Sequence, residues 1–441
     1  MSRTAEGGYA SDIERRTVGK LRWRLIPLLL LLYIVAYLDR INISFAALTM
    51  NRALAITSAQ FGFLTGVFFW GYFIFEVPSN LLLHKIGARI WIARILISWG
   101  IVAMLTGFVQ SVSQLYAVRF LLGVAEAGFF PGIILYLTYW FRQREQAQVI
   151  ACFMTGLPVA TIVGAPVSGL ILDRVHWLAI SSWRWLLVLE GLPAIVGAIV
   201  TYFLLPSRPA EARFLTDSEK DWIAGELARE EQEKIGQDRI SSLQTLAHRR
   251  VWHLAIIIFA ASIGNYTMSF WMPQVLKSLS SSYTNTVIGI LVMVPHLLGL
   301  CGMILVSRSS DRRFERRYHA AIPLIFGGTA LTLLGLTSSP LLSIALWSFV
   351  ALGIYSFYGP FFSLPSSFLT GSSAASGIAL VNSIGALGGF VGPSLVGAAA
   401  KGPGGIYRGL AVVGVFLFVS ATLVLLLPRE KRQPFEFKCL T

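Results

Sequence analysis

Long apolar stretches recur along the whole chain, and most of the polar connections between them are short. A helix needs about 20 mainly apolar residues to cross a hydrocarbon core about 30 Å thick. Twelve stretches meet this requirement, and they cover approximately residues 26–48, 61–83, 91–110, 114–140, 148–173, 183–205, 252–275, 286–306, 319–337, 341–362, 374–400 and 405–427. The pattern predicts an all-α membrane protein with twelve transmembrane helices, numbered here as spans 1 to 12.

The only long polar stretch between spans covers residues 206–250 and divides them six and six. The polar N-terminus has no short apolar core followed by a cleavage site, so it is not predicted to be a secretory signal. The predicted organisation is an N-terminal segment 1–25, a six-helix lobe 26–205, a linker 206–250, a second six-helix lobe 251–427 and a tail 428–441.

Composition supports this class and argues against others. The chain is 55% hydrophobic and 13% charged, with a mean hydropathy of +0.68, which excludes a soluble globular domain. Its three cysteines, Cys152, Cys301 and Cys439, are far apart and predict neither a disulfide framework nor a metal site. We find no metal-ligand cluster, phosphate loop or nucleophile elbow, so we expect no cofactor and no enzymatic activity.

The net charge of +14 is unevenly distributed along the chain. Basic residues precede span 1 and follow spans 2, 4, 8 and 12, and they are Arg15, Arg16, Lys20, Arg22, Arg24, Lys85, Arg89, Arg142, Arg144, Arg308, Arg312, Arg313, Arg316, Arg317, Arg429, Lys431 and Arg432. Connections after odd-numbered spans carry fewer. Because cytoplasmic loops are enriched in Lys and Arg, both termini are predicted to be cytoplasmic, in a multi-pass protein of the inner (plasma) membrane.

The two halves repeat each other at a nearly constant offset. His84 after span 2 corresponds to Asp311 after span 8 (311 − 84 = 227), and Pro166 in span 5 corresponds to Pro393 in span 11 (393 − 166 = 227). Parallel six-span repeats with a binding site between them near the membrane midplane are typical of secondary transporters.

Two charges in span 4 have no counterpart in the second half. Arg119 and Glu126 lie seven residues apart, so on a helix they are about 10.5 Å apart along the axis and on nearly one face. Buried charge costs at least about 2.5–3.5 kcal/mol and normally faces the protein interior. Arg119 is a candidate clamp for a carboxylate, and Glu126 is a candidate proton carrier. The alternative is a salt bridge that only fixes packing.

Asp39 and Arg40 are adjacent in span 1, so their side chains point about 100° apart. One is expected to face a cavity while the other faces a neighbouring helix. Alternatively, the pair is an interfacial charge that reaches water at the end of the span. Glu76 and Glu190 are interpreted as structural.

Neutral polar residues are the binding candidates that remain. Tyr72 can donate a hydrogen bond while packing its ring. The second half offers Asn265, Tyr266, Gln274, His296, Tyr355, Tyr358, Asn382 and Ser383, of which Asn382 is the first choice. The aromatic group around Tyr355 and Tyr358 is mainly packing, although it could form the wall of a site for an aromatic acid.

Several motifs together resemble a known family. They are Tyr37-Leu-Asp39-Arg40-Ile-Asn42 in span 1, Arg119-Phe-Leu-Leu-Gly123-Val-Ala-Glu126-Ala in span 4, Val381-Asn382-Ser383 through Gly392-Pro393 in span 11, Pro78-Ser-Asn80 leading into Gly87-Ala-Arg89, and Ser310-Asp311-Arg312-Arg313. The chain resembles the anion:cation symporter branch of the major facilitator superfamily, particularly bacterial organic-acid transporters of the tartrate, hydroxyphenylacetate and phthalate type.

The residues and the resemblance together give a set of candidate roles. Substrate binding would involve Arg40, Arg119, Tyr37, Tyr72, Asn382 and Tyr355; proton coupling would involve Asp39 and Glu126; gating would involve Lys85, Arg89, Asp311 and Arg312. His84 departs from the family pattern, because an acid is usual at that position, and Asn80 replaces a usual glycine. We therefore expect Asp311, and not His84, to keep a gating role.

The resulting hypothesis is a monomeric transporter that imports a small organic anion with a proton by alternating access. Two arginines favour a tartrate-like hydroxy-dicarboxylate, while the aromatic residues leave aromatic acids open. Three alternatives remain: an exporter or antiporter of organic acids, an importer of aromatic acids, and a sensor that binds an organic acid without transporting it.

Overall fold

The structure is a computed structural model that describes residues 2–235, 247–280, 282–364, 371–402 and 405–428. Part of the predicted linker, residues 236–246, lies outside these ranges. So do residues 429–441 of the predicted tail, with Arg429, Lys431, Arg432 and Cys439.

The regular structure of the described residues is helical. The α-helices are α1 (Ser2–Ala53), α2 (Ser58–Ile86), α3 (Ala88–Thr106), α4 (Val112–Glu126), α5 (Phe129–Thr138), α6 (Gln143–Met154), α7 (Gly156–Arg174), α8 (Ser182–Leu204), α9 (Asp217–Ile235), α10 (Arg249–Leu279), α11 (Asn285–Arg313), α12 (Arg317–Leu333), α13 (Pro340–Phe362), α14 (Gly371–Ala399) and α15 (Gly405–Leu425). Within the described residues, twelve helical segments are long and apolar enough to cross a membrane, α4–α5 and α6–α7 each forming one of them. The predicted fold class is confirmed.

Two predicted spans are interrupted. α4 ends at Glu126 because Ala127 leaves the helical conformation and Gly128 adopts a left-handed one, with φ 84°. A Cβ on Gly128 would also lie 2.3 Å from Ser79 Oγ, so a larger residue would not fit. Between α6 and α7, Pro158 cannot donate the hydrogen bond that would continue the helix across Thr155.

The predicted repeat is visible in the helix boundaries. α2 and α11 each contain 29 residues. Their first residues are 227 apart (285 − 58) and their last residues are also 227 apart (313 − 86). The two helices occupy equivalent places in the two lobes.

The most extensive contacts between the lobes are made by two equivalent helix pairs, α2 with α14 and α7 with α11. A Cβ on Gly62 would lie 2.4 Å from the carbonyl oxygen of Pro393, and a Cβ on Gly289 would lie 2.2 Å from that of Ala165. These two glycines are also 227 residues apart (289 − 62). Each pair therefore packs backbone against backbone at a contact that admits no side chain.

Successive spans alternate in direction, so both ends of the transmembrane bundle lie on one side, called here the termini side, and the opposite side is the distal side. The two glycine contacts lie in the distal half. A polar contact also joins the lobes at the distal ends of α7 and α11. There Asp173 accepts hydrogen bonds from the backbone amides of Asn285 (3.2 Å) and Thr286 (2.7 Å). This carboxylate caps a helix of the other lobe.

The linker helix α9 packs on the first lobe at the termini side. Arg142 forms ion pairs with Glu14, Glu145 and Glu226 at 3.0, 2.7 and 2.9 Å. Lys20 pairs with Glu219 at 2.8 Å. Burial tends to raise the pKa of Glu219, but hydrogen bonds from Lys20 and Thr216 hold it below its usual value. These contacts attach α9 to α1 and α6.

Candidate functional site

A cavity lies between the lobes near the middle of the bundle. The first lobe lines it with Tyr33, Tyr37, Arg40 and Tyr72, and the second lobe lines it with Asn265, Tyr266, Tyr358 and Asn382. It extends toward the termini side, where Met154, Ile258 and Phe362 contribute to its wall. The cavity is therefore built from aromatic rings and neutral polar groups of both repeats.

Arg40 is the only charged side chain among the described residues that line the cavity. Its guanidinium forms a salt bridge with Glu126 and donates a hydrogen bond to the hydroxyl of Tyr266 at 3.2 Å. The rings of Phe68 and Tyr72 lie 5.2 and 5.3 Å from its central carbon. Such aromatic faces attract a cation. Arg40 therefore connects the cavity with the interior of the first lobe.

Glu126 lies behind Arg40, outside the cavity lining. It is the last residue of α4 and is 1% exposed. One carboxylate oxygen takes part in the salt bridge, and the other, Oε2, has no hydrogen-bond partner among the described residues. When Glu126 is ionised, its negative charge is compensated by Arg40, because a buried charge without a partner is costly.

Arg119 is not brought to the cavity wall. It lies on α4 and is 1% exposed, with its guanidinium 5.2 Å from the ring centre of Phe68. Its Nε and Nη2 atoms have no hydrogen-bond partner in the described part of the chain. Arg119 therefore adds a second buried positive charge near Glu126 without touching the cavity in this conformation.

Asp39 and Arg40 diverge, as expected of consecutive residues on a helix. Asp39 faces α3, where it accepts a hydrogen bond from the indole of Trp99 at 2.7 Å. It also accepts one from the side chain of Asn42 at 3.3 Å. Asp39 is 1% exposed and does not line the cavity.

The neutral candidates are divided between the cavity and the lobe interior. Tyr37, Tyr72 and Asn382 line the cavity. The hydroxyl of Tyr37 lies 3.2 Å from Ser269 Oγ in the other lobe. Tyr355, by contrast, is fully buried, does not line the cavity, and packs beside His296 with ring centres 5.7 Å apart.

Among the described residues, the gating candidates of one lobe make no hydrogen bond or ion pair with those of the other lobe. Lys85 is exposed, and the backbone amide of Arg89 donates to Ser207 Oγ at 3.4 Å. Asp311 pairs with Arg316 of its own lobe, and Arg312 is exposed. Their gating roles remain a prediction, because these groups do not bridge the lobes here.

Tyr33, which is not among the candidates predicted from the sequence, lines the cavity and stacks on Phe153 with ring centres 4.3 Å apart. A usable signal was present. Tyr33, Tyr37 and Arg40 are spaced by four and three residues, which places them on one face of a helix.

Twelve membrane-crossing helices in two repeated lobes around a central cavity define a secondary transporter. The sequence profile of the Major Facilitator Superfamily matches residues 29–393. The chain belongs to this superfamily, which confirms the family prediction at that level. It is a multi-pass membrane protein, and its family consists of transporters rather than enzymes.

Named relatives agree with this class. A protein of Agrobacterium vitis named "Putative tartrate transporter" is 43% identical over 432 residues, which cover 98% of this chain and 95% of the relative. A "Quinolone resistance transporter" of Acinetobacter baumannii is 36% identical over 426 residues, covering 96% of this chain and 98% of the relative. The solved structure of the xylose transporter XylE from E. coli shares the fold, with a TM-score of 0.72, 14% identity and coverage of 93% of this chain and 98% of that one.

Proposed function

We propose that the protein imports a small organic anion together with a proton by alternating access. The observation that carries this proposal is the Arg40–Glu126 salt bridge. Arg40 is the charged side chain among the described residues of the cavity wall, and its counter-ion is a buried carboxylate. Protonation of Glu126 would remove that counter-ion and leave Arg40 free to bind the carboxylate of a substrate.

The coupling follows from the charge balance of the pair. A protonated Glu126 leaves an uncompensated positive charge at Arg40, which favours an anion in the cavity. Conversely, an anion bound to Arg40 competes with ionised Glu126 and favours its protonation. Proton and anion binding thus favour each other, and this linkage must be reciprocal. Asp39 would provide a second protonation site, since it is buried and lies next to Arg40 on α1.

The orientation of the protein in the membrane is inferred from the basic residues of the connections. If the termini side is cytoplasmic, the contacts at Gly62, Gly289 and Asp173 close the cavity toward the outside. The cavity extends from Arg40 toward the termini side, where Met154 and Phe362 line it. This arrangement corresponds to an inward-open state, in which an imported anion would be released.

The substrate we propose is a tartrate-like hydroxy-dicarboxylate or a related carboxylate. Arg40 supplies a planar set of donors that matches a carboxylate. The neutral groups of Tyr37, Tyr72, Asn265 and Asn382 can bond hydroxyls without adding charge. The 43% identical Agrobacterium vitis relative, whose name refers to tartrate, supports the same substrate class.

A second candidate is proton-coupled export. The relative named for quinolone resistance supports it, as does the aromatic lining contributed by Tyr33, Tyr266 and Tyr358. The same Arg40–Glu126 pair would then exchange a proton for the substrate. The two candidates differ in the direction of flux under an imposed pH gradient.

Flux measurements in proteoliposomes test the proposal. With an acidic exterior, the purified protein should accumulate labelled tartrate above its equilibrium level. Glu126→Gln should abolish this accumulation but retain exchange of internal for external tartrate. The neutral side chain leaves the charge of Arg40 available to the anion, but it cannot take up and release a proton. Asp217→Asn is the matched control, since the side chain of Asp217 is 97% exposed.

The possible outcomes separate the candidates. Accumulation with an acidic exterior supports import, whereas extrusion from vesicles under the same gradient supports export. Full accumulation by the Glu126→Gln protein would remove Glu126 from the coupling mechanism. If the protein transports no hydroxy acid, the proposed substrate class is wrong.

A further inference from the structure

Glu76 joins the two lobes beside the cavity through hydrogen bonds. It lies on α2 in the first lobe and is 2% exposed. Its Oε1 accepts a hydrogen bond from Asn382 Nδ2 at 3.1 Å, and its Oε2 accepts one from Ser383 Oγ at 2.6 Å. Both donors belong to α14 in the second lobe. Both oxygens of this buried carboxylate are therefore engaged by consecutive residues of the opposite repeat.

These contacts fix the orientation of the Asn382 amide. Its NH₂ group donates to Glu76, so its carbonyl oxygen lies on the other arm of the amide plane. Asn382 lines the cavity, and in the described part of the chain the hydrogen bond made by its amide is the one that the NH₂ group donates to Glu76. The cavity therefore receives a fixed hydrogen-bond acceptor from the second lobe.

This acceptor complements Arg40. A guanidinium can only donate hydrogen bonds, whereas an amide carbonyl oxygen can only accept them. A ligand that satisfies both groups needs a carboxylate for Arg40 and a donor for Asn382. A hydroxy acid offers both, whereas a carboxylate without hydroxyls leaves the carbonyl oxygen without a partner.

We propose that Glu76 is a positioning residue that makes the cavity selective for hydroxylated acids, because it holds the carbonyl oxygen of Asn382 toward the substrate. The inference rests on the proposed function, uptake of an organic anion. A site built to bond a hydroxyl discriminates strongly against an analogue that lacks it, since a buried polar group is then left unpaired. We expect a preference of about tenfold or more for the hydroxylated member of a matched pair of acids.

Glu76→Met tests this positioning. Methionine is close to glutamate in size but has only a weakly accepting sulfur, so it cannot hold the NH₂ group of Asn382. The amide of Asn382 is then free to turn, and its donor and acceptor can exchange places at the cavity wall. The variant approximately preserves the volume of the side chain, so the packing of α2 against α14 is retained.

The experiment measures the Kd of tartrate and of succinate, which differ by two hydroxyl groups, by calorimetry on the purified full chain. The pair 3-phenyllactate and 3-phenylpropionate serves the same purpose for aromatic acids. The wild-type protein should prefer the hydroxylated member by about tenfold or more, and Glu76→Met should reduce that ratio to less than about threefold. The matched control is Glu190→Met, at a second buried acid whose carboxylate bonds Ser168 in its own lobe, and it should leave the ratio unchanged.

Each outcome has a defined meaning. If Glu76→Met weakens both members of a pair equally, Glu76 only ties the lobes together, and the inference is overturned while the proposed function stands. The same holds if the ratio is unchanged. If the wild-type protein binds none of the four acids, the proposed function fails and the inference fails with it.

Discussion

The two junctions between the lobes, α2 with α14 and α7 with α11, have the same backbone packing and different polar contacts. Gly62 and Gly289 occupy equivalent positions, and each lies against a backbone carbonyl of the other lobe. At α7–α11 the polar contact is at the distal end, where Asp173 caps α11. At α2–α14 the polar contact beside the cavity lies further from the distal side, where Glu76 accepts a hydrogen bond from Asn382. Duplication therefore supplied the packing, and single residues made the junctions different.

The largest effect on transport is expected from disrupting the glycine packing that the two junctions share. In Gly62→Ala and Gly289→Ala, the new methyl group would lie within 2.4 Å of a backbone oxygen, so the helices must separate. We expect each variant to lower tartrate uptake at least tenfold, because the distal side can no longer close. Uptake into proteoliposomes measures this, with Gly225→Ala as control, since a Cβ there meets nothing within 4 Å.

Equal losses in the two variants would show that the junctions are mechanically equivalent. Normal uptake by one variant and loss in the other would contradict that equivalence. The closing motion would then depend on a single helix pair.

Much of this scaffold could be predicted from the sequence. Apolar length alone located the twelve spans, and the shared spacing of Pro166 and Pro393 predicted the repeat that the boundaries of α2 and α11 display. Consecutive residues on an α-helix point about 100° apart, which predicted that Asp39 and Arg40 face different neighbours. These are local or periodic properties, which the order of residues encodes directly.

The polar contacts between helices were less accessible. Glu126 follows Arg40 by 86 residues, and their pairing depends on where α4 ends and how it packs. Asn382 follows Glu76 by 306 residues in the other lobe. No spacing rule relates such residues, because their distance is set by the placement of two rigid repeats. Asn382 was therefore predictable as a binding candidate, whereas Glu76 was interpreted only as structural.

An intermediate effect is expected from neutralising the distal carboxylate, Asp173, which belongs to the α7–α11 junction. Asp173→Asn retains one accepting oxygen but loses the negative charge at the N-terminus of α11, where a carboxylate is favoured. Hydrogen bonds to charged groups contribute about 1.5–3 kcal/mol. We therefore expect the distal-closed population to fall by roughly tenfold or more relative to the distal-open one.

Pulsed electron paramagnetic resonance between spin labels at Ser181→Cys and Ser339→Cys measures this shift across the distal side. Both positions are exposed and belong to different lobes. Cys152, Cys301 and Cys439 are replaced by serine in this background. A longer distance should appear in Asp173→Asn and be absent in Asp217→Asn. An unchanged distribution would mean that packing alone keeps the distal side closed.

The smallest effect is expected from single hydroxyl groups at the two junctions. Thr286 Oγ1 donates to the carboxylate of Asp173 at 2.7 Å, whereas Ser394 Oγ donates to the carbonyl oxygen of Gly62 at 3.3 Å. The first bond is short and charge-assisted, and the second is long and neutral. Charge-assisted bonds are roughly twice as strong as neutral ones. In the same spin-label measurement, Thr286→Ala should therefore lower the ratio of distal-closed to distal-open molecules about threefold, and Ser394→Ala should lower it less than twofold. If Ser394→Ala had the larger effect, the α2–α14 junction would contribute more to distal closure than its neutral contact indicates. The charge of Asp173 would then not be what distinguishes the two junctions.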